Sequence, residues 1–527
     1  MTMKQNIFLI LVLFSFSLTS CIEEDFLLVE NENEISADNF YSNLTDFDNS
    51  LNAVYSSLKS LDLFGQAFYV QTLLSLPHTA DYWNAQCRNE VTQGDWWVYI
   101  AWRGWYRLIS RSNDFIDNAE IFINEESNNN TIKEELRIKI GEAKFLRALA
   151  YFHLVRLWGE DSYKNDSNSS ILAVPLRLHV PQTKEDLDMP RSSVREVYHQ
   201  IVKDFIEASE SLPDNWDSSN ISRANKWAAI GYLGKVHLYM EDYESSKSYF
   251  NQIINSGEFN LVEYDSLNDI FQGRNEFSEE SLFEINYSID MQQNIWENGL
   301  GSGIALTLAP PGRGWSNCTP HAVNIFRFGY NEDETLNNPD PRLYISTYDP
   351  EDLVATTEGK FEVAGASEFN YTGHSFKKYV PQDYSVYSTN RNSGINYVLM
   401  RYADILLMQA EVLNKLGEDT QSLELLNKVR RRAFKQNINI NSEFDFEGIS
   451  GNDLQNQIRE ERFLELFAEG HRWYDIVRWK IVEEEVMKYN EFNITQGIIS
   501  FQQRDYYYPI PLQEVDNNSN IDPSTGY

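Results

Sequence analysis

Positively charged residues are scarce in this sequence. Its 527 residues include 44 Lys and Arg against 79 Asp and Glu, which gives a formal net charge of −35. Proteins that bind DNA or RNA need clustered Lys and Arg to displace the counterions of the phosphates, so we expect no nucleic-acid partner. The same field disfavours strongly anionic ligands unless a local basic patch overrides it.

Cysteine is also rare, with three residues at positions 21, 87 and 318. Neither Cys87 nor Cys318 has a CxxC partner or a histidine at ligand spacing, so we expect no metal site and no cofactor. The sequence does not fix the distance between Cys87 and Cys318, and a disulfide between them stays open.

Long apolar runs are absent after the N-terminus. The one apolar segment, Ile7 to Leu18, follows Lys4 and is too short to span a bilayer, so it predicts a cleaved secretory signal. It ends in Leu18-Thr19-Ser20-Cys21, a lipoprotein cleavage pattern, which predicts that the mature chain starts at a lipidated Cys21. The alternative is a secreted protein without lipid. We expect a lipid anchor to be the membrane attachment.

Catalytic motifs are missing as well. The sequence contains no nucleophile elbow, no phosphate-binding loop and no HExxH motif. A glycoside hydrolase would need two opposed carboxylates, but 79 acidic residues guarantee chance pairs without identifying any. We therefore predict no catalytic residues and no enzyme activity.

What the sequence does contain is helical periodicity arranged in pairs. One helix is predicted over Gly141 to Trp158, and two helix pairs of about 34 residues, the tetratricopeptide period, follow. The first pair covers Ser222 to Tyr239 and Tyr243 to Ile254, and the second covers Tyr397 to Leu416 and Ser422 to Phe434. Such a pair cannot bury its apolar face alone, so we predict an all-α dominated fold, an α-solenoid of tetratricopeptide-like pairs.

Between the pairs, residues 265–396 are rich in Gly, Pro, Asn and aromatics and lack a sustained helical period. This composition predicts long loops over a helical scaffold, and such loops commonly contain functional residues. We expect a signal peptide (1–20), a lipidated tether (21–40), an N-terminal helical region (41–264), a loop-rich ligand-binding region (265–396) and a C-terminal region with the second pair (397–527).

The segment Leu454 to Lys480 predicts one strongly patterned helix. Glu469, Arg472, Asp475 and Arg478 stand three apart, so charges of alternating sign would follow one helix face. Its glutamates could be carboxylates for acid/base chemistry or partners in a ladder of ion pairs. The regular alternation with arginines favours the ion-pair ladder.

The same segment resembles a known family. It contains Glu461-Arg462, Glu465-Leu466, Glu469-Gly470, Arg472, Asp475 and Arg478-Trp479. This set of residues is similar to the C-terminal signature of the SusD/RagB family of outer-membrane nutrient-binding lipoproteins. Further similar stretches are Phe145-Leu146-Arg147-Ala148, Leu157-Trp158-Gly159, Arg223-Ala224-Asn225-Lys226, Arg401 to Leu407, Pro509-Ile510-Pro511 and Gly526-Tyr527. The tail departs from the family, which usually reads Gln-Asn-Pro-Gly-Tyr where this chain has Asp522-Pro523-Ser524-Thr525-Gly526-Tyr527.

The resemblance implies a helical, lipid-anchored protein at the cell surface with two kinds of partner. One is a SusC-like TonB-dependent transporter, over which the protein would sit as a lid. The other is an oligosaccharide or another nutrient, held by the loops. The acidic residues Glu23, Glu24 and Asp25 resemble the surface-export signal of such lipoproteins, although they are also compatible with a flexible tether.

A glycan site needs exposed aromatic rings beside polar side chains, because sugar C–H faces stack on aromatic planes. The tryptophans in predicted helices are expected mainly in the core. They are Trp102, Trp105, Trp158, Trp227, Trp473 and Trp479. The candidates in polar, Gly-rich stretches are Trp315, Arg313, Trp83, Asp81, Asn84, Trp296, Trp97 and Trp96. A loop tryptophan can equally fix its own loop. A Cys87–Cys318 disulfide would bring Trp83 and Trp315 onto one patch.

The sequence thus predicts capture of a glycan, neutral rather than anionic, for import. The alternatives are binding of a peptide or other nutrient, and a protein-interaction lid without its own glycan site.

Overall fold

The computed structural model of the 527-residue chain describes most of its sequence. The described residues are 40–66, 68, 79–80, 85–125, 129–166, 170–288, 301–308, 317–329, 339–348, 353–355, 361–363, 374–380, 393–492 and 499–527. The chain divides into two units, residues 1–47 and residues 48–527. Within the described residues of the first unit, the rings of Tyr41 and Phe47 pack with centroids 4.8 Å apart.

Helices make up most of the described structure. The N-terminal half contains α1 (Leu44–Leu58), α2 (Trp96–Glu125), α3 (Asn130–Trp158), α4 (Lys184–Leu187), α5 (Val194–Ser211), α6 (Lys226–Tyr239), α7 (Tyr243–Ser256) and α8 (Tyr264–Ile270). The C-terminal half contains α9 (Ile304–Leu308), α10 (Pro320–Phe328), α11 (Leu343–Ser346), α12 (Tyr402–Lys415), α13 (Asp419–Ala433), α14 (Gly451–Leu466), α15 (Arg472–Arg478), α16 (Val482–Phe492) and α17 (Leu512–Asn517).

The long helices stack in an order that follows the chain. Helix α2 packs on α3, α3 on α5, α5 on α6, α6 on α7, α7 on α12 and α12 on α13, with α14 against both α12 and α13. Each helix buries its apolar face between its neighbours, as in a solenoid of tetratricopeptide-like pairs. This arrangement confirms the predicted fold class. No helix in the described part of the chain has the length and apolarity needed to cross a membrane.

Local sequence explains where several helices begin and end. The side chain of Asn225 accepts a hydrogen bond from the backbone N–H of Ala228, so α6 begins at Lys226 and not at the predicted Ser222. Ser193 and Glu196 form a capping box at the start of α5. Helix α3 ends before Gly159, as predicted, but it begins 11 residues earlier than Gly141.

Short antiparallel strand pairs lie between the helices. The strands are β1 (Thr79–Ala80), β2 (Ser281–Ile285), β3 (Asn317–Cys318), β4 (Thr347–Tyr348), β5 (Leu353–Ala355), β6 (Phe361–Val363), β7 (Ser375–Phe376) and β8 (Tyr397–Arg401). They pair as β1–β3, β2–β8, β4–β7 and β5–β6.

Strand β8 corrects one prediction, because Tyr397 to Arg401 was expected to be the first part of a helix. All five residues are buried, and they pair with β2 from Ser281↔Arg401 to Ile285↔Tyr397. The β2–β8 pair lies close against α6: a Cβ atom on Gly231 would come within 2.6 Å of Met400 Sδ. Tertiary pairing therefore overrides the helical pattern here.

The segment Leu454 to Lys480 is also not one helix. Helix α14 ends at Leu466, Ala468 and Gly470 have positive φ angles of 61° and 77°, and α15 begins at Arg472. Glu469 therefore lies in the break, and the prediction that it shares a helix face with Arg472 is wrong. The break turns its carboxylate toward Arg401 Nε, 2.8 Å away, and Lys378 Nζ, 2.7 Å away.

Candidate functional site

The β1–β3 pair joins two segments that were predicted to bind ligand. Its register is Thr79↔Cys318 and Ala80↔Asn317, and the strands are antiparallel. In sequence, Asp81 directly follows Ala80, and Ser316 directly precedes Asn317. The backbone pairing therefore tethers the stretch with Trp83 and the stretch with Trp315 at adjoining residues of one ladder.

Several predicted site residues lie outside the residues that the structure describes. These are Cys21, Asp81, Trp83, Asn84, Trp296, Arg313 and Trp315. Their roles remain predictions.

The disulfide considered between Cys87 and Cys318 does not form. Both residues are buried thiols in the structure. Cys318 lies in β3 opposite Thr79, and burial raises the pKa of its thiol well above the usual value, so it is protonated at neutral pH. Backbone pairing of β1 with β3, and not a disulfide, joins Thr79 and Ala80 to Asn317 and Cys318.

Trp96 and Trp97 begin helix α2 and form an aromatic pair. Their ring centroids lie 4.9 Å apart, with an interplanar angle of 72°. Trp96 is 50% exposed, whereas Trp97 is half-buried. Exposed indole surface beside a packed second ring is the kind of surface on which a sugar ring stacks. Trp96 is thus the predicted candidate with the most accessible ring among the described residues.

Asp95 fixes the position of this aromatic pair. Its Oδ1 accepts hydrogen bonds from the backbone N–H groups of Trp97 at 2.9 Å and Val98 at 3.3 Å. The same oxygen accepts from Gln86 Nε2 at 3.2 Å, and Gln86 belongs to a 3₁₀ turn, Ala85–Arg88. Burial raises the pKa of Asp95, while these hydrogen bonds act in the opposite direction. Asp95 thus caps the N-terminus of α2 and links Trp96 and Trp97 to the 3₁₀ turn that follows β1 in sequence.

Most helical tryptophans belong to the core, as predicted. Trp102, Trp105, Trp158 and Trp473 are buried, and Trp158 Nε1 donates to the carbonyl oxygen of Pro509 at 2.9 Å. Trp227 and Trp479 are half-buried. Among the described residues, no cluster of three or more His, Cys, Asp or Glu side chains could hold a metal ion.

The glutamates of the patterned segment lie in a buried network of ion pairs. Glu465 accepts from Arg401 Nη1 at 2.6 Å, Arg432 Nη2 at 2.6 Å and Arg342 Nη1 at 3.0 Å. Burial raises the pKa of Glu465, but the guanidiniums of Arg432, Arg401 and Arg342 outweigh burial and hold it well below the usual value. A fully buried, permanently ionised carboxylate is suited to stabilise the fold rather than to transfer protons.

The network also joins two described segments between residues 265 and 396, 339–348 and 374–380, to the end of α14 and the residues after it, which the sequence did not reveal. Arg342 pairs with Glu461 at 2.7 Å, and Lys378 pairs with Glu469 at 2.7 Å. Both cations come from residues 265–396. The alternating charges of Leu454 to Lys480 signalled that partners were needed, but they could not identify partners about 90 to 120 residues away in sequence.

Two family models match this chain and together cover most of it. One, described as the SusD family, matches residues 279–527, and the other, described as starch-binding associating with outer membrane, matches residues 25–238. A relative along nearly the whole length is SusD-like protein P25 of Formosa agariphila, which is 26% identical over 98% of this chain and 97% of its own.

Solved structures share the fold. A SusD homolog from Bacteroides thetaiotaomicron aligns with a TM-score of 0.76 and 22% identity, over 94% of this chain and all of the other. A laminarin-binding SusD-like protein aligns with a TM-score of 0.71 and 21% identity, over 92% of this chain and all of the other.

Proposed function

Because the chain belongs to the SusD/RagB family, we propose that it captures a glycan at the cell surface and delivers it for import. The description of the second family model names starch binding and the outer membrane, and one protein of the same fold binds laminarin. Both support a neutral glucan as the ligand class. The strongly acidic character of the chain supports the same choice, because it repels polyanionic glycans.

The observation that carries this proposal is the antiparallel pairing of β1 with β3. In sequence, the candidates Asp81, Trp83 and Asn84 follow β1, and the candidates Arg313 and Trp315 precede β3. The Asp95 cap adds the exposed ring of Trp96 next to the chain that follows β1. A site built from several tryptophans with neighbouring amide, carboxylate and guanidinium groups suits a sugar, whose C–H faces stack and whose hydroxyls hydrogen-bond.

The remaining parts of the proposal concern anchoring and delivery. Lipidation of Cys21 would hold the protein on the outer membrane, facing outward. A SusC-like TonB-dependent transporter would receive the glycan, with this protein acting as its lid. We propose no catalytic role, since the buried glutamates are committed to ion pairs.

Isothermal titration calorimetry of the purified protein tests glycan capture. The panel contains starch and laminarin oligosaccharides together with sulfated and uronic oligosaccharides. We expect a neutral glucan to bind and Trp315→Ala to weaken binding at least tenfold, because a sugar would lose its stacking surface. Trp216→Ala is the matched control, since Trp216 is half-buried and donates to the carbonyl oxygen of Ala224, far in sequence from the ladder.

The outcomes separate the alternatives. Binding that persists in Trp315→Ala and Trp96→Ala would contradict the placement of the site at the ladder. Absence of binding across the panel, with transporter association intact in a pull-down, would favour the lid without its own glycan site. Binding of peptides instead of sugars would favour the other nutrient class.

A further inference from the structure

A pocket opens at the C-terminal end of α3, on the helical scaffold. The space inside it is about 490 Å³, a figure that includes open solvent at its mouth. Its wall is formed by α3, α5, α6 and α15 and by residues that follow α3 and α15. The lining residues used below are Arg156, Tyr198, Tyr239, Tyr474, Arg478 and Lys480.

Arg156 is a buried cation whose polar contacts in the protein carry no negative charge. It is 9% exposed. Its Nε donates to the carbonyl oxygen of Phe152 at 3.0 Å, and its Nη2 donates to His153 Nδ1 at 2.9 Å. Burial, and then the charge of Arg156, lower the pKa of His153 well below its usual value, so the ring is neutral and can accept this bond.

Aromatic rings surround the same guanidinium. Its central carbon lies 3.8 Å from the ring centroid of Tyr474, 4.0 Å from that of Phe152 and 5.5 Å from that of Tyr239. The negative faces of these rings attract the cation but supply no counter-ion. Arg156 therefore differs from other buried arginines of this chain, such as Arg147, which pairs with Asp204 at 2.8 Å, and Arg462, which pairs with Asp404 at 2.9 Å.

The other charged groups of the pocket are already paired. Arg478 binds Glu411 and Asp475, and Lys480 binds Asp161. The acidic group Glu160, also on the wall, pairs with Arg191 at 2.6 Å. The uncompensated charge in the pocket is thus the positive charge of Arg156, in a protein whose overall charge is strongly negative.

We propose that this pocket binds a small monocarboxylate, whose carboxylate pairs with Arg156 and whose carbon skeleton packs against the tyrosine rings. A guanidinium fork matches the planar geometry of a carboxylate. A buried charge is stabilised by an ionic partner that also accepts its hydrogen bonds. Tyr198, Tyr239 and Tyr474 supply apolar ring surface for the remainder of the ligand. This site is independent of the glycan site proposed above.

Titration calorimetry of the purified protein with benzoate and benzamide tests this assignment. The two ligands share shape and differ in charge, and glucose and inorganic phosphate complete the set at pH 7 and constant ionic strength. We expect benzoate to bind at least tenfold more tightly than benzamide, and Arg156→Gln to remove that difference. Equal affinities for benzoate and benzamide, or binding of phosphate alone, would overturn the proposal.

A second variant keeps the test decisive if Arg156→Gln fails to fold. Lys480 lies at the pocket with its side chain 44% exposed, so its substitution leaves the core intact. We expect Lys480→Glu to weaken benzoate binding about three- to tenfold and to leave benzamide unchanged, since it adds a negative charge at the pocket and also removes the partner of Asp161 there. Lys184→Glu, at an exposed residue of α4, is the control with the same change of charge. Equal benzoate affinities in these two variants would reject the site.

Discussion

The helix pairs α6–α7 and α12–α13 occupy corresponding places in the sequence at a constant offset of 176 residues, from 226 to 402 and from 243 to 419. They share few identical residues at that offset: Val236 with Val412, Ser246 with Ser422 and Asn251 with Asn427. The comparison between them shows which features the geometry of a pair requires.

Two features recur at equivalent positions. The hydroxyl of Ser246 donates to the carbonyl oxygen of Gly234 at 2.8 Å, and the hydroxyl of Ser422 donates to that of Ala410 at 2.6 Å. In both connecting turns the second residue has a left-handed φ, 58° at Glu241 and 76° at Gly417. The hydroxyl contact and the turn conformation are therefore the geometric requirements, while the residue in the turn is free to vary.

Two other positions differ, and each difference has a physical reason. Gly234 faces Phe250, whereas the equivalent Ala410 has the smaller Leu426 at the matching position. The residue before the first helix is the cap Asn225 in one pair. In the other it is Arg401, which provides no side-chain cap and instead anchors the buried network.

The largest expected difference in stability is between substitutions of Arg401 and Asn225. Arg401→Ala should lower the free energy of unfolding by about 3–5 kcal/mol, because Glu280, Glu465 and Glu469 would lose a buried partner. Asn225→Ala should cost only about 1 kcal/mol, the usual loss of a helix cap. Urea denaturation followed by circular dichroism measures both. Equal losses would contradict the different roles of the two residues, and Arg401→Lys should lie between them.

The next effect comes from the close contact at Gly234. A Cβ atom there would lie 2.4 Å from Phe250 Cε1, so Gly234→Ala should destabilise by about 1–3 kcal/mol through overpacking. The double variant Gly234→Ala with Phe250→Leu reproduces the second pair and should regain part of the loss. Thermal denaturation midpoints of the single and double variants decide this. A single variant as stable as the parent would show that the contact is not restrictive.

The hydroxyl groups of Ser246 and Ser422 should contribute equally to the free energy of unfolding. Ser246→Ala and Ser422→Ala each remove one buried hydrogen bond to a helical carbonyl, so each should cost about 1 kcal/mol. Urea midpoints of the two variants give the comparison, with Ser248→Ala, an exposed residue of the same helix as Ser246, as a reference for the substitution itself. A loss in one pair alone would mean that the hydroxyl contact is not a shared requirement.

The smallest effect is expected in the turn. Glu241→Gly should stabilise the protein by up to about 1 kcal/mol, since glycine adopts the left-handed conformation without the steric cost that a Cβ imposes. Gly417→Ala in the other turn should destabilise by a similar amount. Differential scanning calorimetry measures the melting temperatures of both variants. Shifts in opposite directions would support the role of the left-handed turn conformation, and shifts in the same direction would refute it.

Local patterns predicted the pairs well because in each pair a largely buried first helix, α6 or α12, is followed by a short turn and an amphipathic second helix, α7 or α13. They failed where a distant partner decides the conformation. The stretch from Tyr397 to Arg401 forms a strand because β2 pairs with it. The predicted helix over Leu454 to Lys480 is interrupted after Leu466, where Glu469 pairs with the distant Arg401 and Lys378. Of the predicted site residues, the structure describes Trp96 and Trp97, and the sequence did not reveal that Asp95 positions them.

The sequence by itself determined the helical scaffold and the family, because periodicity and a charged signature are local properties of the chain. Only the tertiary structure decided which charges pair, where β1 meets β3 and why Arg156 is left beside aromatic rings in a pocket. Those features depend on contacts between residues far apart in sequence, such as Tyr474 with His153 at 3.2 Å and Thr79 with Cys318. Such contacts are fixed by packing of the whole fold, which no local pattern encodes.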